Sequence, residues 1–401
     1  MAVTLSGHEV SDLCLGKPPL RSISVTHTIA DALNAIHKFR HSSLSVWNCH
    51  HSIYSNNNNE EDFDQFHCKC IGRICMVDII CFLCKPENLS SPADAFRSQI
   101  SILLAEDKSS LVLHLQPNAS LLEAIDAMSK GVQNVVIPIP NEKRWKKKEC
   151  ETLDSGIFHN DKLAYCWLTQ EDVMRYLLNS IAVFSSIAAE AIDKLGIIDT
   201  QNLFFLYYDD PASSALELLT ASIVHQSSVA VVDPQGKFVG EISPFMLNSC
   251  DEAVAPAIAT LSAGDLLAYI DCGGPPEDLV QLDLVQLVKE RLREQNLDAA
   301  LELLGEEASL PSWSSFSSTS SEEDVCLSGK NRKHGGYSSR VVRRSEAIVC
   351  YPWSSLVAVM IQALSHRVSY VWVVKEDGTL TGIVTFQSML KIFRERLKLM
   401  S

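Results

Sequence analysis

The sequence contains no apolar run that approaches the roughly 18 residues a membrane-spanning helix needs, so we expect no membrane insertion. Its N-terminus lacks the basic stretch and apolar core that are typical of a secretion signal, so we expect an intracellular protein of the cytoplasm and/or nucleus that is not secreted. The 13 cysteines are an odd number, and several lie inside apolar stretches. This pattern favours reduced, buried thiols in a reducing compartment.

The motifs of the common catalytic sites are also absent. The chain has no Gly-rich phosphate loop, no HExxH and no serine nucleophile elbow, so we predict that it is not an enzyme. A net charge of −15 disfavours binding to a phosphate backbone, and we expect no nucleic-acid partner. The local basic run at 143–148 has no groove-reading motif around it and predicts a solvated loop.

Histidines and cysteines cluster at 49–51 and 67–70, but their spacing is wrong for zinc. Cys68 and Cys70 are separated by one residue, whereas structural zinc sites use pairs separated by two to four. Cys81 and Cys84 have two residues between them, but they lie on a predicted apolar helix. We therefore predict no metal site.

The strongest positive signal is a unit at 346–398. Residues 368–374 are β-branched and aromatic, which predicts a strand, and Asp-Gly-Thr at 377–379 predicts a hairpin. A second apolar strand at 380–384 leads to Thr385, a candidate helix cap, and apolar residues then follow at helical spacing. Because a helix with the same spacing precedes the strands, the unit is helix–strand–strand–helix.

The same order recurs along the chain, so we predict four modules rather than one fold. The predicted divisions are module one at 13–84 with a polar insertion at 50–69, module two at 100–180 with an insertion at 141–161, module three at 202–250, a connecting apolar and helical segment at 254–304, a disordered Ser-rich loop at 305–344, and module four at 346–398. Within the connecting segment, the mixed pattern of 279–304 predicts a helical part that docks loosely.

The ends of the second strands show a shared motif, glycine or cysteine followed by two residues and then a hydroxyl or thiol. The four copies are Gly72-Arg73-Ile74-Cys75, Cys166-Trp167-Leu168-Thr169, Gly240-Glu241-Ile242-Ser243 and Gly382-Ile383-Val384-Thr385. The repeated unit resembles the cystathionine-β-synthase-type (CBS) module. Four such modules with a long Ser-rich insertion resemble the plant four-CBS proteins akin to the γ subunit of SNF1-related kinases. The resemblance implies an α+β fold in which the four modules form two Bateman-type pairs, with clefts that hold adenosine nucleotides such as AMP, ADP or ATP.

In that family a hydroxyl and a carboxylate, spaced S/T-x-x-D at the strand-to-helix corner, hold the ribose. The resemblance implies the candidate ribose-binding residues Thr169, Asp172, Asp78, Ser243 and Thr385. Thr169 and Asp172 complete the pattern, whereas Cys75 replaces the hydroxyl in module one, and Met246 and Ser388 replace the acid in modules three and four. His366 and Arg367 stand where related γ-type modules place a phosphate contact.

Each of these residues also has a purely structural interpretation. Thr169 and Asp172 match a helix capping box, Asp78 suits the dipole of a helix N-terminus, and His366 with Arg367 suits a helix C-terminus. Two hypotheses for function therefore stand. One is a non-enzymatic regulatory protein that binds adenosine nucleotides and modulates a partner such as a SNF1-related kinase. The other is a ligand-free interaction scaffold with degenerate sites; Asp172 favours the first and Met246 the second. We expect a monomer or a homodimer.

Overall fold

The computed structural model describes residues 7–39, 43–48, 69–104, 112–140, 163–271, 278–304 and 347–400. Three features predicted from the sequence lie outside these ranges. They are the Ser-rich loop at 305–344, the insertion at 141–161, and the insertion at 50–69 apart from Lys69.

Strands in the described part of the chain form four sheets of three strands each. In each sheet the first strand pairs parallel to the second, and the second pairs antiparallel to the third. Their bounds are β1 Ser22–Ser24, β2 Ser43–Asn48 and β3 Lys69–Cys75 in module one; β4 Val112–His114, β5 Asn134–Pro140 and β6 Leu163–Thr169 in module two; β7 Phe204–Tyr207, β8 Val229–Val232 and β9 Phe238–Ile242 in module three; and β10 Val349–Cys350, β11 Tyr370–Val374 and β12 Leu380–Thr385 in module four.

The first strand of each module was not predicted. These strands have only two to four residues, which is too short for an alternating pattern to stand out in the sequence.

Helices open and close each module around its sheet. The α-helices of the described residues are α1 Ile29–Phe39, α2 Met76–Leu83, α3 Pro86–Ser90, α4 Pro92–Arg97, α5 Leu121–Ser129, α6 Gln170–Asn179, α7 Ser185–Ala188, α8 Ala215–His225, α9 Pro244–Leu247, α10 Val254–Thr260, α11 Ala263–Asp271, α12 Asp278–Glu294, α13 Leu356–His366 and α14 Phe386–Met400. Short 3-10 helices lie at Val10–Cys14, Ile100–Leu103, Ile181–Phe184, Ala212–Ser214 and Asp298–Leu304.

The opening helix α13 shows why these segments fold as they do. Its apolar residues Leu356, Val359, Met360 and Ala363 recur at helical spacing, and all four are fully buried. Ser355 caps the helix, because its side chain accepts a hydrogen bond from the backbone of Ala358. The helix thus buries one stripe against its own sheet and its neighbours.

The sheets of consecutive modules pack face to face. In the first pair, the Trp47 ring of module one lies 4.9 Å from the Tyr165 ring of module two. In the second pair, the rings of Phe238 and Trp372, from modules three and four, are 5.5 Å apart. The chain therefore forms two Bateman-type pairs, modules one with two and three with four, as the sequence predicts.

The helices join the two pairs into a closed ring. One large apolar core contains residues of modules one and three, and a second contains residues of modules two and four. Phe184 and Phe393 meet edge to face in the second core, at 4.9 Å. Each module contacts one neighbour through its sheet and another through its helices. The contacts therefore run from module one to module two, then to module four, then to module three, and back to module one.

One expectation about the connecting segment is wrong. The mixed pattern of 279–304 predicts loose docking, but Val288 and Leu292 of α12 are fully buried in the core of modules one and three. The helix packs a narrow apolar stripe against this core. Charged residues stand on both sides of the stripe in the sequence, so the apolar spacing is difficult to recognise there.

Candidate functional site

The four candidate corners lie where the third strand of each sheet ends and the closing helix begins. In module two, Thr169 is the N-cap of α6, and its hydroxyl accepts a hydrogen bond from the backbone N–H of Asp172 at 3.3 Å. In return, Asp172 Oδ2 accepts from the backbone N–H and the hydroxyl of Thr169, both at 2.7 Å. The capping box that the sequence allows is therefore formed.

Asp172 has a third donor that lies far away in sequence. The Lys17 ammonium forms an ion pair with Asp172 Oδ2 and donates to the backbone carbonyl of Trp167 at 2.8 Å. The two side chains are only 20% and 25% exposed. One oxygen of this carboxylate thus serves three donors of the protein itself, while the corner retains a hydroxyl, a carboxylate and a cation within one hydrogen-bonded group.

Module one keeps its carboxylate and replaces the hydroxyl by a thiol. The backbone N–H and the thiol of Cys75 donate to Asp78 Oδ2 at 2.8 and 3.0 Å, and Asp78 is buried. Asp78 also lines a cavity of about 660 Å³ between α2 and the start of module three, and Glu217 of α8 lines the same cavity. The cavity mixes apolar and polar lining, which is typical of small-molecule sites.

Modules three and four keep the cap without the acid. The Ser243 hydroxyl accepts from the backbone N–H of Met246 at 3.0 Å, and Met246 is buried among apolar residues. In module four, Ser388 exchanges hydrogen bonds with Thr385, as an acid would in a capping box. Neither corner offers a carboxylate to a ribose.

His366 and Arg367 lie at the C-terminus of α13, and both are exposed. Arg367 has a φ of 55°, and its backbone N–H bonds to the carbonyls of Ala363 and Leu364, so it closes the helix as a left-handed C-cap. A cavity of about 300 Å³ between α6 and α13 reaches Ser365 and Arg175, but neither His366 nor Arg367 lines it.

The predicted site residues therefore occupy separate corners rather than one cluster. Sequence analysis missed Lys17, which gives no local signal because its partner is 155 residues away. It also missed Glu241, although a single carboxylate inside an apolar strand is a signal that the sequence displays.

Glu241 lies in the interface between the sheets of modules three and four. Its oxygens accept from the Tyr370 hydroxyl at 2.9 Å and from the Trp372 indole N–H at 2.6 Å. Burial raises the pKa of Glu241, and the hydrogen bonds from Trp372 and Tyr370 oppose this shift. Glu241 thus binds one module to the other by polar contacts inside a buried interface.

The sequence predicts no metal site and no membrane-spanning helix, and the structure bears on these two predictions only over the residues that it describes. Among them, no group of three or more histidine, cysteine, aspartate or glutamate side chains is placed to hold a metal ion. The cluster at 49–51 and the residues 67–68 lie outside these ranges. Of the described helices, none is long and apolar enough to cross a membrane.

The four three-stranded sheets, their strand-to-helix corners and the closed ring of two Bateman-type pairs define a protein built from CBS modules. Comparison with known proteins agrees with this class. The family model of the CBS domain matches residues 343–395. The chain belongs to the family of CBS domain-containing proteins. It is 43% identical to the CBS domain-containing protein CBSX5 of Arabidopsis thaliana, over 99% of both chains.

A more distant relative and a solved structure extend this picture. The chain is 20% identical to the SNF1-related protein kinase regulatory subunit gamma-like protein PV42b of Arabidopsis thaliana, over 82% of this chain and 76% of the relative. The crystal structure of a Methanocaldococcus jannaschii protein, solved as a proposed archaeal homolog of g-AMPK, has a TM-score of 0.51 and 16% identity. It covers 96% of this chain and all of that one, and shows that the fold is shared.

Proposed function

We propose that this protein is a non-enzymatic regulatory protein whose CBS pairs bind an adenosine-type nucleotide. The observation on which the proposal rests is the position of Asp78, a carboxylate at a helix N-terminus that lines a cavity of about 660 Å³. A cavity of this volume falls within the range of roughly 300 to 1,000 Å³ that small-molecule ligands occupy. The carboxylate would accept hydrogen bonds from the two ribose hydroxyls.

The rest of the cavity lining suits the other parts of a nucleotide. Phe82 and Leu103 offer apolar surface for a base, and Lys85 offers a positive charge for a phosphate. The hydroxyls of Ser213 and Ser214 add hydrogen-bond donors at the beginning of module three's helical segment. A ligand held there would contact modules one and three together, so its binding would favour one arrangement of the two pairs.

The Thr169 and Asp172 corner is a second candidate position for a ribose. Its hydroxyl and carboxylate are both present, and Lys17 supplies a cation beside them. A ligand that uses Asp172 there would have to share the carboxylate with Lys17 or displace it. We therefore rank this corner behind the cavity at Asp78.

The competing proposal is a ligand-free interaction scaffold. It is favoured by modules three and four, where Met246 and Ser388 stand in place of the acid while the helix caps remain intact. On this proposal, the residues at the four strand-to-helix corners are explained by helix capping alone, without a ligand.

Isothermal titration of the full chain with AMP, ADP, ATP and S-adenosylmethionine separates the two proposals. Binding that Asp78→Asn weakens about tenfold or more, equivalent to about 1.4 kcal/mol, supports the sensor at the cavity. Asp172→Asn tests the second position in the same way. Asp283→Asn, an exposed acid on α12, is the matched control and should leave binding unchanged. Absence of heat and of thermal stabilisation with every compound at millimolar concentration would favour the scaffold.

As the regulated partner we propose a SNF1-related kinase. The supporting observation is the likeness to PV42b over 82% of this chain. A binding assay between the purified full chain and the purified catalytic subunit of such a kinase tests this proposal, and no association with or without nucleotide would contradict it.

The closed ring of four modules supports a monomer, which light scattering can distinguish from a homodimer. We place the protein in the cytoplasm and/or nucleus, which a fluorescent fusion can test.

A further inference from the structure

The segment before β1, residues 8–20, packs on module two rather than on the sheet of module one. Val10 N–H donates to the carbonyl of Ala119 at 2.9 Å, and Leu20 N–H donates to the carbonyl of Tyr165 at 2.7 Å. Between these anchors the Lys17 ammonium bonds to the carbonyl of Trp167. This N-terminal segment therefore contacts the residues on both sides of Cys166 in β6.

Two thiols face each other at the centre of this contact. Cys14 ends the 3-10 helix of the N-terminal segment and is 5% exposed, and Cys166 is fully buried in β6. Both belong to the core shared by modules two and four, and their side chains interact directly.

The surroundings act on the two thiols in opposite directions. The hydrogen bond with Cys166 and the nearby Lys17 ammonium lower the pKa of Cys14, against the opposing effects of burial and of Asp172. The same hydrogen bond and burial raise the pKa of Cys166. By contrast, burial raises the pKa of Cys70 and of Cys350 to about 12, as expected for inert core thiols.

We propose that Cys14 and Cys166 are an oxidisable pair, whose disulfide would tie the N-terminal segment to module two. The oxidant is a low-molecular-weight disulfide such as glutathione disulfide. The Cys14 thiolate attacks one of its sulfurs and releases one glutathione thiolate, which leaves a mixed disulfide on Cys14. The Cys166 thiol then loses its proton and attacks the Cys14 sulfur, which releases the second glutathione. Two protein thiols are oxidised, and one glutathione disulfide is reduced to two thiols.

Access to Cys14 comes from the surface end of its short helix. The next residue, Leu15, is 84% exposed, and the helix has only five residues. A helix this short has few backbone hydrogen bonds to break, so local opening lets an oxidant of small size reach the sulfur. The disulfide would also hold Lys17, three residues further along, beside Asp172. This consequence for ligand binding rests on the proposed function; formation of the disulfide does not.

Mass spectrometry of the reduced full chain, equilibrated with glutathione disulfide and then trapped by alkylation, tests the proposal. Trypsin yields residues 1–21 and 163–175, and each peptide contains a single cysteine, so a linked pair identifies Cys14 and Cys166 without ambiguity. We expect the linked pair in a chain that stays monomeric on a non-reducing gel. It should be lost in Cys14→Ser and in Cys166→Ser, and it should persist in the matched control Cys350→Ser.

Lys17→Met gives an independent kinetic readout. If Lys17 promotes the Cys14 thiolate, this variant should form the linked pair more slowly near pH 7, and the difference should shrink as the pH rises. Both Ser variants should keep the thermal midpoint of the reduced wild-type chain within a few degrees, which shows that loss of the link is not loss of fold. A chain that gives only glutathione adducts, or that links Cys14 to another cysteine, would overturn the proposal.

The ligand consequence is measured separately, by nucleotide titration of the oxidised and the reduced chain. A weaker affinity of the oxidised chain, restored by a reductant, is expected at the Asp172 corner. If the disulfide forms but no nucleotide binds either form, the proposed function fails while the oxidisable pair stands. If complete oxidation leaves the nucleotide affinity unchanged, only the inferred effect of the disulfide on ligand binding at Asp172 is contradicted.

Discussion

At the scale of single residues, one position of the third strand distinguishes the two pairs of modules. Glu241 in module three and Arg73 in module one occupy the same place in the repeated motif. Glu241 bonds to Tyr370 and Trp372 of module four, whereas the Arg73 guanidinium lies 3.5 Å from the Asn134 amide oxygen of module two. Arg73 is exposed, whereas Glu241 is buried, so exchanging the partners of the pairs would take from Glu241 the donors that it has in module four.

Glu241 also predicts a dependence of stability on pH. Its folded-state pKa is raised by burial, so the folded chain binds this proton more tightly than the unfolded chain does. Its contribution to stability is therefore greatest below the ordinary pKa of 4.5 and is lost as the pH rises through the raised value. Glu241→Gln removes the titrating group.

We expect the thermal midpoint of Glu241→Gln to rise relative to that of wild type as the pH increases, because only wild type loses the contribution of protonated Glu241. Midpoints measured by calorimetry in steps from pH 5 to pH 8 provide the test. Asp283→Asn, which changes an exposed acid of α12, serves as the matched control. A constant offset for Glu241→Gln over the whole range would contradict the assignment.

At the scale of elements, equivalent glycines in β3 and β12 allow other chain segments to approach closely. A Cβ on Gly382 would lie 2.4 Å from Ile198 Cγ2 and 3.0 Å from the carbonyl oxygen of Asp199. The backbone of Asp199 pairs with Ile383 there, so the segment between modules two and three runs along β12. At Gly72 the nearest atom is the Cδ2 end of the Leu104 side chain, at 2.7 Å.

The two glycines predict unequal costs for one substitution. Gly382→Ala pushes against backbone that is itself paired, and should destabilise the chain by about 1–3 kcal/mol, as overpacked sites do. Gly72→Ala meets only the flexible end of Leu104, and alanine is otherwise the better strand residue by roughly 0.5–1 kcal/mol. Its loss of stability should be clearly smaller. Urea midpoints of both variants give the comparison, and equal losses would show that the segment at 198–200 yields as easily as a side chain.

At the scale of the whole molecule, the ring is closed by helices of modules that are not consecutive. Arg394 of α14 forms a bidentate pair with Asp126 of α5, and its Nη2 lies 2.7 Å from Asp126 Oδ2. Gln387 Nε2 donates to the carbonyl of Ser129 at 3.3 Å nearby. These contacts join module four to module two across the ring, and the apolar core beneath them supplies most of the burial.

The ion pair predicts a modest coupling with a defined pH dependence. The hydrogen bond from Arg394 holds the pKa of Asp126 below its ordinary 3.8, so its stabilising effect is present above that value and is lost as the pH falls through the lowered one. Since Asp126 is 36% exposed, solvent screening limits the coupling to about 0.2–1 kcal/mol. A double-mutant cycle with Asp126→Ala and Arg394→Ala, followed by urea unfolding at pH 7 and pH 3, measures it. A coupling that stays equal at both pH values would contradict this origin.

Local features of the sequence determined the repeated unit. Hydrophobic periodicity gave the helix before residue 368 and the helix after Thr385, and Asp377-Gly378 gave the hairpin, because these patterns depend only on neighbours a few residues apart. The repetition of this unit predicted four modules, and the resemblance to CBS modules implied two pairs. Thr169 was found as a cap for the same reason, since its partner Asp172 is three residues away.

Only the tertiary structure decided which modules share helices, that Lys17 bonds to Asp172, that Cys14 meets Cys166, and that Asp78 lines a cavity. These contacts join residues separated by more than 130 positions, or depend on the shape left between packed helices. Nothing in a local pattern specifies them, because they follow from how whole modules bury their remaining apolar faces against one another.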